Sequence, residues 1–135
     1  ASDVYKRQVL EDTHRLHYEP WELKQFENIE CEWPLFFTYL VLDGLFRGDN
    51  EQVEFYLSSL DTLLVERDGI KLLPELYYVP QEHIEAEKAQ PQSQQRLPNE
   101  NVPLVWAQSL YYLGKLLSEG FIAVGDIDPL GRHLT

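Results

Sequence analysis

Between residues 34 and 48 apolar side chains leave no polar face. Leu35, Phe36, Phe37, Tyr39, Leu40, Val41, Leu42, Leu45 and Phe46 are interrupted chiefly by Asp43. A helix that is apolar all round must be covered on every side. At about thirteen residues it is too short to cross a bilayer. The run therefore predicts a helix buried within a helical assembly, with Pro34 at its first position and Gly48 as a left-handed stop.

The segments around it fit the same scheme. Asp49-Asn50 is placed to cap a second helix whose apolar residues, Val53, Tyr56, Leu57, Leu60, Leu63 and Leu64, fall on one stripe. That helix is amphipathic, with one face in water. Asp68-Gly69 turns the chain. A third helix is expected from Pro103 to a stop at Gly120. Its apolar residues, from Leu104 to Leu117, leave a narrow polar strip of Gln108, Lys115 and Glu119. It is expected to be mostly buried. Elsewhere the signals are weaker: one or two helical turns from Pro20, a short polar helix over residues 81–88, and a Gln/Pro/Asn-rich loop over residues 89–101, either a lid or a plain connection. No strand pattern extends beyond a few residues around 72–79. The expectation is an all-α chain in which fully buried and half-exposed helices alternate, as inner and outer helices of a two-layered ring would.

Charge narrows the function. There are 23 acidic and 11 basic residues among 135, a formal net charge of −12, which repels phosphate backbones and anionic membranes. Neutral ligands such as sugars remain open. The lone Cys31 forms no internal disulfide and fits a reducing compartment, and no secretory or membrane-spanning run is visible, so a cytoplasmic location is expected. The chain opens without Met and both ends read as cut from a longer protein. Residues 1–17 are left unassigned as an artefactual start, residues 3–8 resembling a translated adapter; the partial domain is expected over 18–135.

Within residues 72–80, Leu-Leu-Pro-Glu-Leu-Tyr-Tyr-Val-Pro, a single carboxylate sits among apolar neighbours. Glu75 is either a solvated loop residue or a partly desolvated group suited to proton transfer. Trp33 and Trp106 each lie beside a proline at a helix start, where an indole packs into the core or serves as a platform for a sugar ring. Glu30-Cys31-Glu32 reads as electrostatic capping of the following helix, ahead of a carboxylate at a pocket rim. His14 and His17 are two surface histidines among acids rather than a metal site, Ser109 lacks a nucleophile elbow, and no dinucleotide, nucleoside-triphosphate or zinc motif is present. No cofactor or metal is expected.

Taken together, residues 23–36, Asp43-Gly44-Leu45-Phe46-Arg47-Gly48, Tyr77-Tyr78-Val79-Pro80, Trp106-Ala107-Gln108-Ser109-Leu110-Tyr111 and Asp126-Ile127-Asp128-Pro129 resemble the N-terminal domain of phosphorylase kinase regulatory α and β subunits. That domain is similar to the glucoamylases of glycoside hydrolase family 15. The resemblance implies the C-terminal part of an (α/α)6 toroid, and an α-glucan or maltooligosaccharide as ligand within glycogen metabolism. It makes Glu75 a candidate general base for inverting hydrolysis, matched by Leu73-Pro74-Glu75, with Leu76 where the family motif has Gln. It places Trp33, Tyr77, Tyr78 and Trp106 as pocket walls. Inverting hydrolysis needs a second carboxylic acid, which the family's layout puts in a loop outside these residues, so this stretch alone would not hydrolyse. The alternative is a non-catalytic regulatory or scaffold domain that binds α-glucan or protein partners.

Overall fold

A computed structural model of the protein describes residues 14–134. In chain order its helices are α1 (Pro20–Leu23), α2 (Leu35–Arg47), α3 (Asn50–Thr62), α4 (Ile84–Ala89), α5 (Val105–Ser118) and α6 (Val124–Ile127). The strands are short: β1 (Val65–Arg67), β2 (Ile70–Leu72), β3 (Tyr77–Tyr78) and β4 (Leu97–Pro98). Helices dominate, as expected of an all-α chain. The chain divides into two compact units, Trp33–Glu75 with Glu100–Thr135, and Ala1–Glu32 with Leu76–Asn99.

The first unit is built on α2, α3 and α5. Gly48 ends α2 at φ 72°, a left-handed geometry that costs glycine nothing. Asp49 then caps α3, its carboxylate accepting from the Gln52 N–H at 3.1 Å. Leu35 and Val41 of α2, Val53 and Leu60 of α3, and Ala107 and Tyr111 of α5 form one core with Leu73. Helices α2 and α5 approach closely at Gly114. A Cβ there would lie 2.9 Å from Val41 Cγ1, closer than side chains tolerate. The Tyr111 hydroxyl donates to Asp61 Oδ1 at 2.7 Å, tying α5 to α3. Burial, followed by the hydrogen bond to Asp61, raises the phenol's pKa well above its ordinary value and keeps it a donor.

Two expectations about these helices are corrected. Helix α2 is not covered all round: Phe36 is 58% exposed and Tyr39 38%. Helix α5 is not mostly buried, since Val105, Trp106, Tyr112 and Leu116 lie open. The reason is geometric. Within this unit α2 packs against α3 and α5, and two neighbours cannot cover every side of a helix. A β-hairpin was also unforeseen. Asp68 and Gly69, at φ 51° and 75°, make the doubly left-handed turn that favours a hairpin, and β1 pairs antiparallel with β2 across it.

In the second unit Ile29, Val79 and Ile84 form a small core with Phe26, Cys31 and Tyr78 packed against it. Strand β3 pairs antiparallel with β4. Pro20 opens α1, as its position suggested. Residues 1–17, expected as an artefactual start, lie largely outside those described.

If α2 and α5 cross through Gly114, Gly114→Leu will overpack Val41 and destabilise the fold by about 1–3 kcal/mol. Urea denaturation checks this; an unchanged midpoint would place the crossing elsewhere.

Candidate functional site

Leu73 is fully buried, and Pro74 beside it is too. A buried peptide group must be paired, and three bonds do it here. The Leu73 N–H donates to the side-chain Oε1 of Gln108 at 2.7 Å. The Leu73 carbonyl accepts from the Leu104 N–H at 3.0 Å, and the Glu75 N–H donates to the Asn101 carbonyl at 2.9 Å. Pro74 has no N–H to satisfy. Residues 73–75 are thus fastened to the segment that enters α5 and to the first turn of α5 itself.

Glu75 is half-buried on this fastened backbone. It is neither sealed in apolar surroundings nor freely solvated. Trp106 lies in the first turn of α5, between the two residues that hold Leu73, and is 58% exposed. Its indole lies outside the core of this unit. The Tyr39 ring meets it edge-on at 6.2 Å, and Phe36 meets Tyr39 at 6.3 Å, so an exposed aromatic shelf spans α2 and α5. Trp33 is half-buried in the turn before α2, its carbonyl accepting from the Phe36 N–H. One unit therefore contains Glu75, Trp33 and Trp106, and the α5 turn links two of them. An open groove of about 570 Å³ in the same unit, lined by Phe37, Glu51, Glu54, Phe55, Thr62 and Leu63 among others, includes none of the three.

Tyr77 and Tyr78 belong to the other unit. They pair with Pro98 and Leu97, and Tyr77 also exchanges two backbone hydrogen bonds with Glu32 at 2.8 and 2.9 Å. Both rings are half-buried, and burial raises the Tyr77 phenol's pKa. Tyr78 leans on the Ile29–Val79–Ile84 core. Leu76 is 2% exposed, so the position where the family motif has an amide is filled by buried apolar volume.

The Gln-rich loop of this unit is anchored. Glu87 has no accessible surface. Its carboxylate accepts from the Gln92 N–H at 2.7 Å, the Gln94 N–H at 2.8 Å and Arg96 Nη1 at 3.2 Å. Arg96 also reaches the Glu30 carbonyl at 3.4 Å and the Glu32 carboxylate at 3.5 Å. Burial alone would push the Glu87 pKa up, but the two backbone donors and the Arg96 guanidinium outweigh it and hold it below its ordinary value. Helix α2 has Pro34 at its cap with no side-chain cap hydrogen bond, and Glu32 pairs with Arg96 in the other unit.

Sequence reasoning missed Gln108. It was grouped with the polar strip, yet it is 7% exposed. Its spacing from Leu104 and Tyr111 puts it on the buried side, the one signal that pointed inward. Among the described residues no group of three or more His, Cys, Asp or Glu side chains is placed to hold a metal ion; His17 lies 3.6 Å from Glu19 instead. Ser109 donates to the Val105 carbonyl within the helix, as an ordinary helical serine does. Among the described residues no helix is long and apolar enough to cross a membrane.

The helical core agrees with the family that the sequence suggested. The chain belongs to glycosyl hydrolase family 15, whose sequence profile it matches over residues 2–135. It is similar to phosphorylase b kinase regulatory subunit alpha, skeletal muscle isoform, of Rattus norvegicus, being 53% identical over 134 residues, 98% of this chain and 11% of that protein. The liver isoform of Takifugu rubripes is 55% identical over 126 residues, 93% of this chain and 10% of its own length. The probable alpha subunit of Caenorhabditis elegans is 51% identical over 134 residues, 98% and 11% respectively. The chain thus spans about a tenth of the length of the curated relatives it matches.

Because the folded pKa of Glu87 is depressed, its contribution to stability is complete above the ordinary value of 4.5 and is lost as pH falls through the folded value. Hydrogen exchange should therefore show the Gln92 and Gln94 amides protected at neutral pH. That protection, corrected for intrinsic rates, should fall selectively below pH 4.5. In Glu87→Gln it should be reduced already at pH 7.

Proposed function

We propose that this chain is part of a glucoamylase-like (α/α)6 domain in a phosphorylase-kinase-regulatory-alpha type of protein, and that the domain recognises neutral α-glucan. The observation that carries the reading is the first turn of α5, which presents the exposed Trp106 and fastens the segment that bears Glu75. An exposed indole and a half-buried carboxylate within one unit suit a sugar ring, whose C–H face stacks on an indole while its hydroxyls donate to a carboxylate. The net charge of −12 is compatible with such a neutral ligand and unsuited to nucleic acid. Trp33 adds a wall to the same unit, and Tyr77 and Tyr78 supply further aromatic surface on the chain. Protein partners in a larger complex follow from the relatives, which are named as regulatory subunits of phosphorylase b kinase.

Hydrolysis is the second reading, favoured by Glu75 standing half-exposed on a fixed backbone, as a general base that activates water requires. Against it stands Leu76, buried and apolar where the family motif has an amide. Recognition tolerates that change more readily than transition-state stabilisation does.

Calorimetric titration of the full-length protein with a maltooligosaccharide, with glucose release measured alongside, separates the readings. Recognition predicts saturable binding without release, and a loss of about tenfold in affinity, or about 1.4 kcal/mol, in Trp106→Ala. No binding by the unaltered protein would overturn the reading. Glucose release that drops by about 10²-fold or more in Glu75→Gln would establish the hydrolase in its place.

A further inference from the structure

Gln108 lies on the face of α5 that carries Ala107, Tyr111, Gly114 and Leu117 into the core. Its Oε1 holds the buried Leu73 N–H, while its Nε2 has no hydrogen-bond partner among the described residues. A stranded buried donor is costly. Methionine would fill the same volume without that cost. What an apolar side chain would not supply is the acceptor for Leu73 N–H. That bond joins the segment leading into Glu75 to α5 two residues beyond Trp106, and it is made by a side chain rather than by backbone.

We infer that Gln108 is the positioning residue of the Glu75 site. It locks the Leu73-Pro74-Glu75 segment to the helical turn that carries Trp106, so that carboxylate and indole keep a fixed spacing and engage one stretch of α-glucan together. Gln108 itself touches no ligand in this scheme. The choice of ligand rests on the function proposed above, whereas the lock rests on the hydrogen bonds alone.

Two variants of the full-length protein test it. Gln108→Met keeps the shape and removes the acceptor; Gln108→Glu keeps an acceptor oxygen for Leu73. In Gln108→Met, amide exchange over residues 72–76 should quicken by about tenfold or more while α2 and α3 keep their protection. Affinity for a maltooligosaccharide should fall by about tenfold in the same sample. Gln108→Glu should restore both. Unchanged exchange over 72–76 in Gln108→Met would overturn the lock. So would faster exchange spread through α2 and α3, which marks a general packing loss. Faster local exchange with unaltered affinity would remove Gln108 from the site. If the unaltered protein takes up no maltooligosaccharide, the proposed ligand falls, and the exchange over 72–76 still decides the lock.

Discussion

The buried peptide N–H of Leu73 is the constraint around which the larger unit is arranged. Leu73 must be inside, because it completes the core made by Leu35, Val53, Leu60 and Ala107. Once inside, its backbone donor has no water to turn to, and an unpaired donor there would cost about 1–3 kcal/mol. The following proline leaves the strand without the regular alternation of donors that would let a neighbouring strand pair with it. A side chain from α5 closes the account, with Leu104 and Asn101 taking the remaining groups. The half-buried position of Glu75 follows from this fastening, since two residues after a fixed point the chain has little freedom left.

Periodicity made the helices legible. The capping residue Asp49, the left-handed stop at Gly48 and the turn at Asp68-Gly69 all stood in the sequence, because each depends on a local conformational preference. What periodicity did not reveal was which neighbour covers each turn. Gln108 and Lys115 are seven residues apart, about two turns, and so share an azimuth on α5. Yet Gln108 is covered by the strand at Leu73, while Lys115 sits over the Tyr111 ring at 6.0 Å. Phe36 and Trp106 failed in the opposite sense. Their hydrophobicity signals a demand for cover, but only packing shows whether it is met.

The two carboxylates Glu75 and Glu87 illustrate the same limit. Glu75 has apolar sequence neighbours and reads as desolvated or poised, whereas Glu87 stands among Glu85, Lys88 and glutamines and reads as solvated. The structure reverses them. Glu87 is inaccessible and Glu75 is not. A carboxylate is taken from water when donors replace its hydration, and the donors for Glu87 come from backbone and guanidinium groups five to nine residues away. Local composition carries no record of them. The loop over residues 89–101, read as lid or connection, is accordingly fastened at Gln92, Gln94 and Arg96 by a satisfied buried anion, which argues against a freely opening lid.

The substitution at position 76 weighs differently on binding and on catalysis. Ground-state affinity for a neutral sugar draws on stacking area and on hydroxyl-to-carboxylate bonds, the two interactions that the proposed reading asks of the exposed Trp106 and the half-exposed Glu75. Hydrolysis asks for more: a water held in line, and charge stabilisation that appears only in the transition state. An amide beside the base would serve that second demand. The buried Leu76 side chain, with no polar atom, does not. A site that keeps its carboxylate and its aromatic surface but lacks the amide loses the interactions specific to the transition state first and those of the ground state last. The chain combines membership of a hydrolase family with relatives named as regulatory subunits, and the change at position 76 bears on catalysis before it bears on recognition.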